Sequence, residues 1–395
     1  MKYFHYMRNL CLSMNKLLLL LKGQIALWLS SKETNPNIWV FSSKDNKAFN
    51  YNSKYLFLYV LEHLKQIKPL YVINDDKERT VLQKKYGEEY FIETESIAGM
   101  KKALEAGVWF TSAGMPVYAL SSGKNRKIVN LWHGVPLKKI ALMEPNVPCW
   151  ERWYFKKMFS QNYKYILTTS DALNSVMAES FAVTEDKIKV WGQPRNDVLV
   201  DATQQKKQLS DFVKVPAYEK AILYAPTFRD NGTTQWFPFE DFDKEKLQKF
   251  LEDNRILLCL RAHVNENVSE EYCYCPNIIN LSSDVIDDIT GYLYMFDLLI
   301  TDYSSIYIDY MLLNRPMMFL PYDKEQYLQD RGMNFEYDKV TPGKKPVTYE
   351  EFVQTILSEL EQDSMQSERL KMNTIFNQVQ EPCSERICKE ILRGE

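Results

Sequence analysis

From residue 36 onward, short β-rich runs alternate with helical stretches, and the alternation stops near residue 200 and then starts again. No other feature restricts the fold as much. Strands that follow one another through a helix run parallel, and a parallel sheet needs helices on both faces. The first series predicts strands at 38–42, 70–73, 108–111, 128–132 and 165–168, with helices at 52–64 and 76–85 among them. The second predicts strands at 221–224, 256–261, 298–301 and 317–320, with a helix at 242–254. Between them, the polar stretch 201–214 and Pro216 read as a linker covering 200–217. The fold class is therefore α/β. Two doubly wound Rossmann-like units, 36–200 and 218–395, would face a central cleft, and 395 residues suffice for a core in each.

Charge and cysteine usage narrow the function classes. A net charge of −3 excludes a chain that is basic overall, so no nucleic-acid partner is expected. The seven cysteines are scattered without CxxC spacing, which argues against a disulfide framework and a structural zinc site. The acidic groups Asp75, Asp76, Asp284, Asp287 and Asp288 lack further ligands at metal-site spacing and read as helix N-terminal acids, so no metal is expected.

Residues 1–35 stand apart. Apolar runs at 17–21 and 25–29 are broken by Lys22 and preceded by Lys16, so no stretch is long enough to span a bilayer. With Lys2, Arg8 and Lys32 among Leu, Phe and Trp, the segment reads either as an amphipathic helix on an anionic membrane or as an ordinary helix packed on the first unit. No cleavage site of a signal peptide follows it.

Open α/β sheets bind ligands at the carboxyl ends of their strands, and the unusual residues of this chain lie in such turns. After the run 298–301 come Ser304 and Ser305 at a helix start, an anion site suited to a pyrophosphate, with Asp309 one turn on as an acceptor for a ribose diol. Of four histidines, His133 and His263 directly follow β runs, one in each unit, which points to acid–base chemistry. Gly134 and Pro136 enforce a turn beside His133. Arg195, Arg229 and Arg261 follow other strands, and Thr227 adds a hydroxyl; arginine's fixed donors match phosphate oxygens.

These segments also carry a resemblance. Trp132 to Pro136, Gly192 to Asp197, Tyr224 to Arg229, Arg261-Ala262-His263, and Thr301 to Ser305 with Asp309 occur in the order found in the CDP-glycerol glycerophosphotransferase family, the teichoic-acid primases and polymerases. The resemblance covers about residues 36–380. It implies a GT-B architecture, a CDP-linked polyol as donor substrate, a lipid-linked teichoic-acid or capsular polymer as acceptor, and peripheral attachment to the cytoplasmic face of the membrane. By position, Trp132, His133, Gly134, Val135, Pro136, Arg195, Pro226, Thr227, Arg261, Ala262, His263, Ser304, Ser305 and Asp309 would line the donor site, beside Arg229. Val135 stands where the family pattern usually has Thr, which removes a hydroxyl and leaves a backbone contact.

The expected reaction is direct phosphoryl transfer: an acceptor hydroxyl attacks the phosphorus bearing glycerol and CMP leaves. His133 is the expected base, while His263, Arg195, Arg261 and the turn at Ser304 would stabilise phosphate charge; the two histidine roles are interchangeable at this level. A GT-B glycosyltransferase using a nucleotide-sugar, or a non-catalytic membrane scaffold, are the competing readings. Glycerol against ribitol, primase against polymerase, and oligomeric state are open.

Overall fold

The computed structural model describes residues 2–229, 234–262, 266 and 268–394. The first sheet comprises β1 (Asn35–Ser42), β2 (Lys68–Val72), β3 (Phe91–Ile92), β4 (Ala106–Thr111), β5 (Lys127–Asn130), β6 (Tyr165–Thr168) and β7 (Ile188–Val190). The second comprises β8 (Lys220–Tyr224), β9 (Ile256–Leu260), β10 (Ile278–Asn280), β11 (Leu298–Thr301) and β12 (Met317–Phe319). Their orders are β3-β2-β1-β4-β5-β6-β7 and β10-β9-β8-β11-β12, and every pairing is parallel. Both sheets are covered on two faces, which is why β9, Ile-Leu-Leu-Cys-Leu, is apolar throughout and fully buried. Two doubly wound units facing one cleft are the arrangement the alternating sequence pattern implies.

Each sheet reverses its strand order once, between β1 and β4 and between β8 and β11. At such switch points the loops on either side diverge and leave a crevice at the carboxyl ends of the strands. Residues 43–50, 112–116, 225–229 and 302–305 occupy those positions.

The chain crosses between units twice. The expected linker forms short 3-10 turns, Ala202–Gln204 and Leu209–Asp211, with Leu209 buried. A second unit reaching to residue 395 does not describe the end of the chain. Cys383, Ile387, Cys388 and Ile391 share a core with Trp39 and Phe41, so the helix Ser384–Leu392 packs on the first sheet. Asp197 fixes this return: its buried carboxylate accepts from the backbone N–H groups of Cys383 (2.8 Å) and Ser384 (3.1 Å) at the start of that helix. Gln378 N–H bonds the Thr169 carbonyl at 2.9 Å beside it.

The helix Lys2–Leu29 contacts the first unit through a face of small residues. Ala26 is buried, and a Cβ on Gly23 would meet the Tyr118 carbonyl oxygen at 2.1 Å, so the close approach requires glycine. Its other face leaves Leu17 57%, Leu21 54% and Trp28 83% exposed. Among the described residues no helix is long and apolar enough to cross a membrane.

Candidate active site

A cavity of about 530 Å³ lies between the two units, within the usual range for small-ligand sites. From the first unit it is lined by Lys44, Asn50, Tyr51, His133, Lys138 and Arg195; from the second by Pro226, Thr227, Arg261, Ala262, Asp287, Asp288, Ser304, Ser305 and Asp309, among others. His133 and Ser304 therefore face one shared crevice from opposite lobes.

The loop after β5 places His133. Asn52, fully buried in the first turn of the helix Tyr51–His63, donates from Nδ2 to the carbonyls of Leu131 (3.0 Å) and Trp132 (2.9 Å). Its Oδ1 accepts from the Arg195 backbone N–H at 3.1 Å, so a single amide ties together three loops. Trp132 adopts a left-handed φ of 52° and packs on Phe181 and on the His133 ring. Tyr51, also left-handed at φ 56°, stacks on the imidazole with centroids 4.9 Å apart. His133 Nδ1 lies 2.7 Å from the Ser112 carbonyl oxygen, which can only accept. That bond assigns the proton to Nδ1 and leaves Nε2 with its lone pair. Ser112 is itself held by Ser53, whose N–H donates to Ser112 Oγ at 2.9 Å and whose Oγ donates to the Ser42 carbonyl at 2.7 Å. Burial pushes the half-buried imidazole down to about 4, with Arg195 and Lys44 adding to the shift and the Ser112 bond opposing it. The ring is therefore neutral at physiological pH, as a general base must be.

On the second unit two motifs are wired to each other. Thr301 Oγ1 donates to the Ala225 carbonyl at 2.7 Å, and the Asp302 carboxylate accepts from Thr227 N–H at 2.8 Å. Asp302 and Asp323 both pair with Arg229, which lies over the rings of Tyr303, Tyr322 and Tyr327. The result presents Pro226, Thr227, Ser304 and Ser305 on the cleft wall. Thr227 Oγ1 is buried without a hydrogen-bond partner, and Ser304 Oγ accepts from Ile306 N–H at 3.3 Å at the start of the short helix Ile306–Tyr310.

Several expected site residues have other work. Arg229 stands outside the cleft lining and holds the loops behind it. Arg195 donates from Nη1 to the His133 carbonyl at 2.7 Å and from Nη2 to Asp309, so its guanidinium joins the lobes. Asp309, expected to receive a ribose, has one oxygen engaged by Arg195 and the other by Asn196 Nδ2 at 3.0 Å. Burial raises its carboxyl, against which Arg195 and Asn196 work. Arg261 lines the cleft, yet its guanidinium donates to the carbonyls of Leu281 (2.8 Å), Ile286 and Asp287 (2.8 Å). Val135 and Pro136 are buried, and Trp132, Gly134, Val135 and Pro136 are absent from the cleft lining. Val135 belongs to the hydrophobic core, which suits a residue without the hydroxyl. Gly134, at φ 153°, lets the lobes meet: a Cβ there would come 3.1 Å from Ser305 Oγ and 3.3 Å from Arg195 Nη2. His263 lies outside the described residues.

Sequence reasoning missed Lys44, Asn50, Tyr51 and Lys138, and it left Asp287 and Asp288 without a role in the cleft. The first three follow β1 at a switch point, a position that topology alone would have marked. Asp288 does cap the turn Ile289–Met295, accepting from Thr290 N–H at 3.1 Å, and it lines the cleft as well. Among the described residues no group of three or more His, Cys, Asp or Glu side chains could hold a metal ion.

Known proteins resemble this chain over most of its length. The chain is 29% identical over 394 residues to the teichoic acid glycerol-phosphate transferase of Staphylococcus aureus (strain NCTC 8325 / PS 47), covering 92% of this chain and 95% of that one. It is 27% identical over 329 residues to the teichoic acid poly(glycerol phosphate) polymerase of Staphylococcus epidermidis, covering 80% of this chain but 45% of the polymerase, so it spans about half the length of that relative. The solved structure of the wall teichoic acid polymerase TagF superposes with a TM-score of 0.75 at 21% identity, over 99% of this chain and 96% of that one, and shares its fold. The profile of the CDP-Glycerol:Poly(glycerophosphate) glycerophosphotransferase family matches residues 25–393, and the chain belongs to that family.

Proposed function

We propose that this protein transfers a glycerol phosphate or related polyol phosphate unit from CDP-glycerol to a lipid-linked teichoic-acid or capsular acceptor and releases CMP. One observation carries the reading: a neutral imidazole with an available Nε2 shares a cavity with the Ser304–Ser305 turn and the unpartnered Thr227 hydroxyl of the opposite lobe. The donor's pyrophosphate would rest against Thr227, Ser304 and Ser305. The acceptor hydroxyl, entering from the first unit, loses its proton to His133 Nε2 as its oxygen attacks the phosphorus bearing glycerol, and the bond to CMP breaks. The Ser112 carbonyl, accepting from Nδ1, would orient the ring during the transfer.

The reading includes no metal cofactor. Lys44 and Lys138 line the cleft and would offset donor charge, so turnover should survive EDTA. It also places the protein on the cytoplasmic face of the membrane, with the apolar face of the helix Lys2–Leu29 in the interface. Incubation with CDP-glycerol, CDP-ribitol or a UDP-sugar, together with a lipid-linked primer, followed by mass measurement of the products, tests the reading. Mass gain of a polyol phosphate with CMP release is expected; turnover of the UDP-sugar alone would replace it with glycosyl transfer, and no nucleotide turnover would reject it.

A further inference from the structure

A base that takes a proton in a buried site becomes a cation there, and its surroundings decide how well that charge is held. On the reading above this happens to His133. Its Nδ1–H donates to a neutral acceptor, the Ser112 carbonyl, and not to a carboxylate. Burial opposes a positive ring, and the nearby cations Arg195 and Lys44 oppose it further. Among the described residues no carboxylate pairs with the imidazole. Two aromatic rings lie against it instead. Tyr51 is tilted by only 24° from the imidazole plane with centroids 4.9 Å apart, and Trp132 lies at 34° and 4.1 Å. The face of an aromatic ring is negative and attracts a cation within about 6 Å, most strongly where water is excluded. Such contacts strengthen as the imidazole gains its proton, so they favour the transition state over the resting enzyme.

Local folding does not ask for a tyrosine at position 51. The residue opens the helix Tyr51–His63 at a left-handed φ of 56°, a conformation that suits Gly or Asn and not a bulky side chain. Asn52, the next residue, donates to the Trp132 carbonyl at 2.9 Å, so one helix start fixes both rings around His133. Burial raises the Tyr51 phenol above its usual range, so the ring stays an uncharged phenol. We propose that Tyr51 is a positioning residue for the base. With Trp132, its ring face stabilises the imidazolium that forms as His133 Nε2 takes the acceptor's proton, the acceptor oxygen bonds to phosphorus and CMP leaves. The inference rests on the transfer reading in one respect, the role of His133 as base.

Single-turnover CMP release from CDP-glycerol with a lipid-linked primer tests it, in Tyr51→Phe and in Tyr51→Phe carrying one, two or three ring fluorines. Fluorine drains the negative face at nearly constant shape, so folding is not at stake. Tyr51→Phe should keep the rate within about twofold, and the fluorine series should lower it stepwise by about tenfold in all. Tyr51→Leu, apolar but without a ring, should lose about thirtyfold, the worth of a desolvated cation–π contact. Half-saturation by CDP-glycerol should stay within about threefold throughout, because the ring acts on the proton transfer and not on donor binding. In a His133→Gln background the fluorine series should be flat. A flat series with His133 in place, a slope that persists without it, a Tyr51→Phe as slow as Tyr51→Leu, or a loss carried by half-saturation would overturn the proposal. A native rate in His133→Gln removes the base and with it the transfer mechanism, whereas a slow His133→Gln beside a flat series removes this inference alone.

Discussion

Removing the Asp309 carboxylate tests how the two lobes are held together. Asp309 and Arg195 come from different units, and both are almost wholly buried, 1% and 5% exposed. In Asp309→Ala, Arg195 Nη2 and Asn196 Nδ2 lose their acceptor, and Arg195 Nε has no partner to begin with. The guanidinium would then keep only the His133 carbonyl. Breaking a buried pair from one side costs about 3–5 kcal/mol, because the remaining charge stays in a low-dielectric site. Against a total stability of about 5–15 kcal/mol, this is a large fraction. Replacing both partners, Arg195→Met with Asp309→Leu, removes the stranded charge and should restore all but about 1–2 kcal/mol. Urea unfolding, read as the change in midpoint multiplied by the slope, measures both effects. CMP release on the same samples separates stability from function: the double variant should stay slow, since the hydrogen bond to the His133 carbonyl is gone. A loss below about 1 kcal/mol in Asp309→Ala, or a double variant no more stable than the single one, would refute a buried ionic tie between the lobes.

His133→Gln should lower kcat by about 10²–10⁴-fold with CDP binding changed little, checked by CMP release and equilibrium titration. Because the imidazole is pushed down to about 4, the base stays neutral as pH falls through 6.5 and is lost only near the lower value. The acid limb of kcat/KM should therefore fall well below pH 6, and a limb at 6.5 would show a solvated ring. Arg229→Lys should destabilise the second unit by about 1.5–3 kcal/mol through loss of its charged hydrogen bonds, with the KM for CDP-glycerol little changed in the folded enzyme. Converting Leu17, Leu21 and Trp28 together to Ser should reduce co-sedimentation with anionic vesicles at least tenfold, given about 1.5–3 kcal/mol for each large apolar side chain buried.

The sheets were legible because buried parallel strands are continuous apolar runs, and nine such runs coincide with strands of the structure. β7 was legible only as a short run without bounds before the Arg195 turn, and the strands that escaped, β3 and β10, are two and three residues long and do not stand out from their flanks. The end of β5 was overrun by two residues: Leu131 and Trp132 look like strand, but Trp132 turns left-handed to deliver His133. That turn depends on Asn52, 80 residues earlier in the chain, and no local pattern reports such a partner. The helix Ser384–Leu392 was assigned to the wrong unit for the same reason, since its anchor is Asp197 in the first.

Arginine shows why motif residues and ligand contacts differ. Five donors on a permanent cation suit phosphate, but they suit backbone carbonyls and buried carboxylates equally well. In this chain Arg195, Arg229 and Arg261 are committed to such partners, and each builds a loop that the cleft requires. Were Arg195 and Arg229 moved onto a diphosphate, Asp309, Asp302 and Asp323 would lose donors, and moving Arg261 would strip the carbonyls of Leu281, Ile286 and Asp287. A donor pyrophosphate is better received by groups whose hydrogen-bonding capacity is still unspent: Thr227 Oγ1, the Ser304–Ser305 turn, and the lysine Lys44 at the opposite wall. The motifs thus mark where the site is, while the bonds already made inside the protein decide which of their atoms remain for substrate.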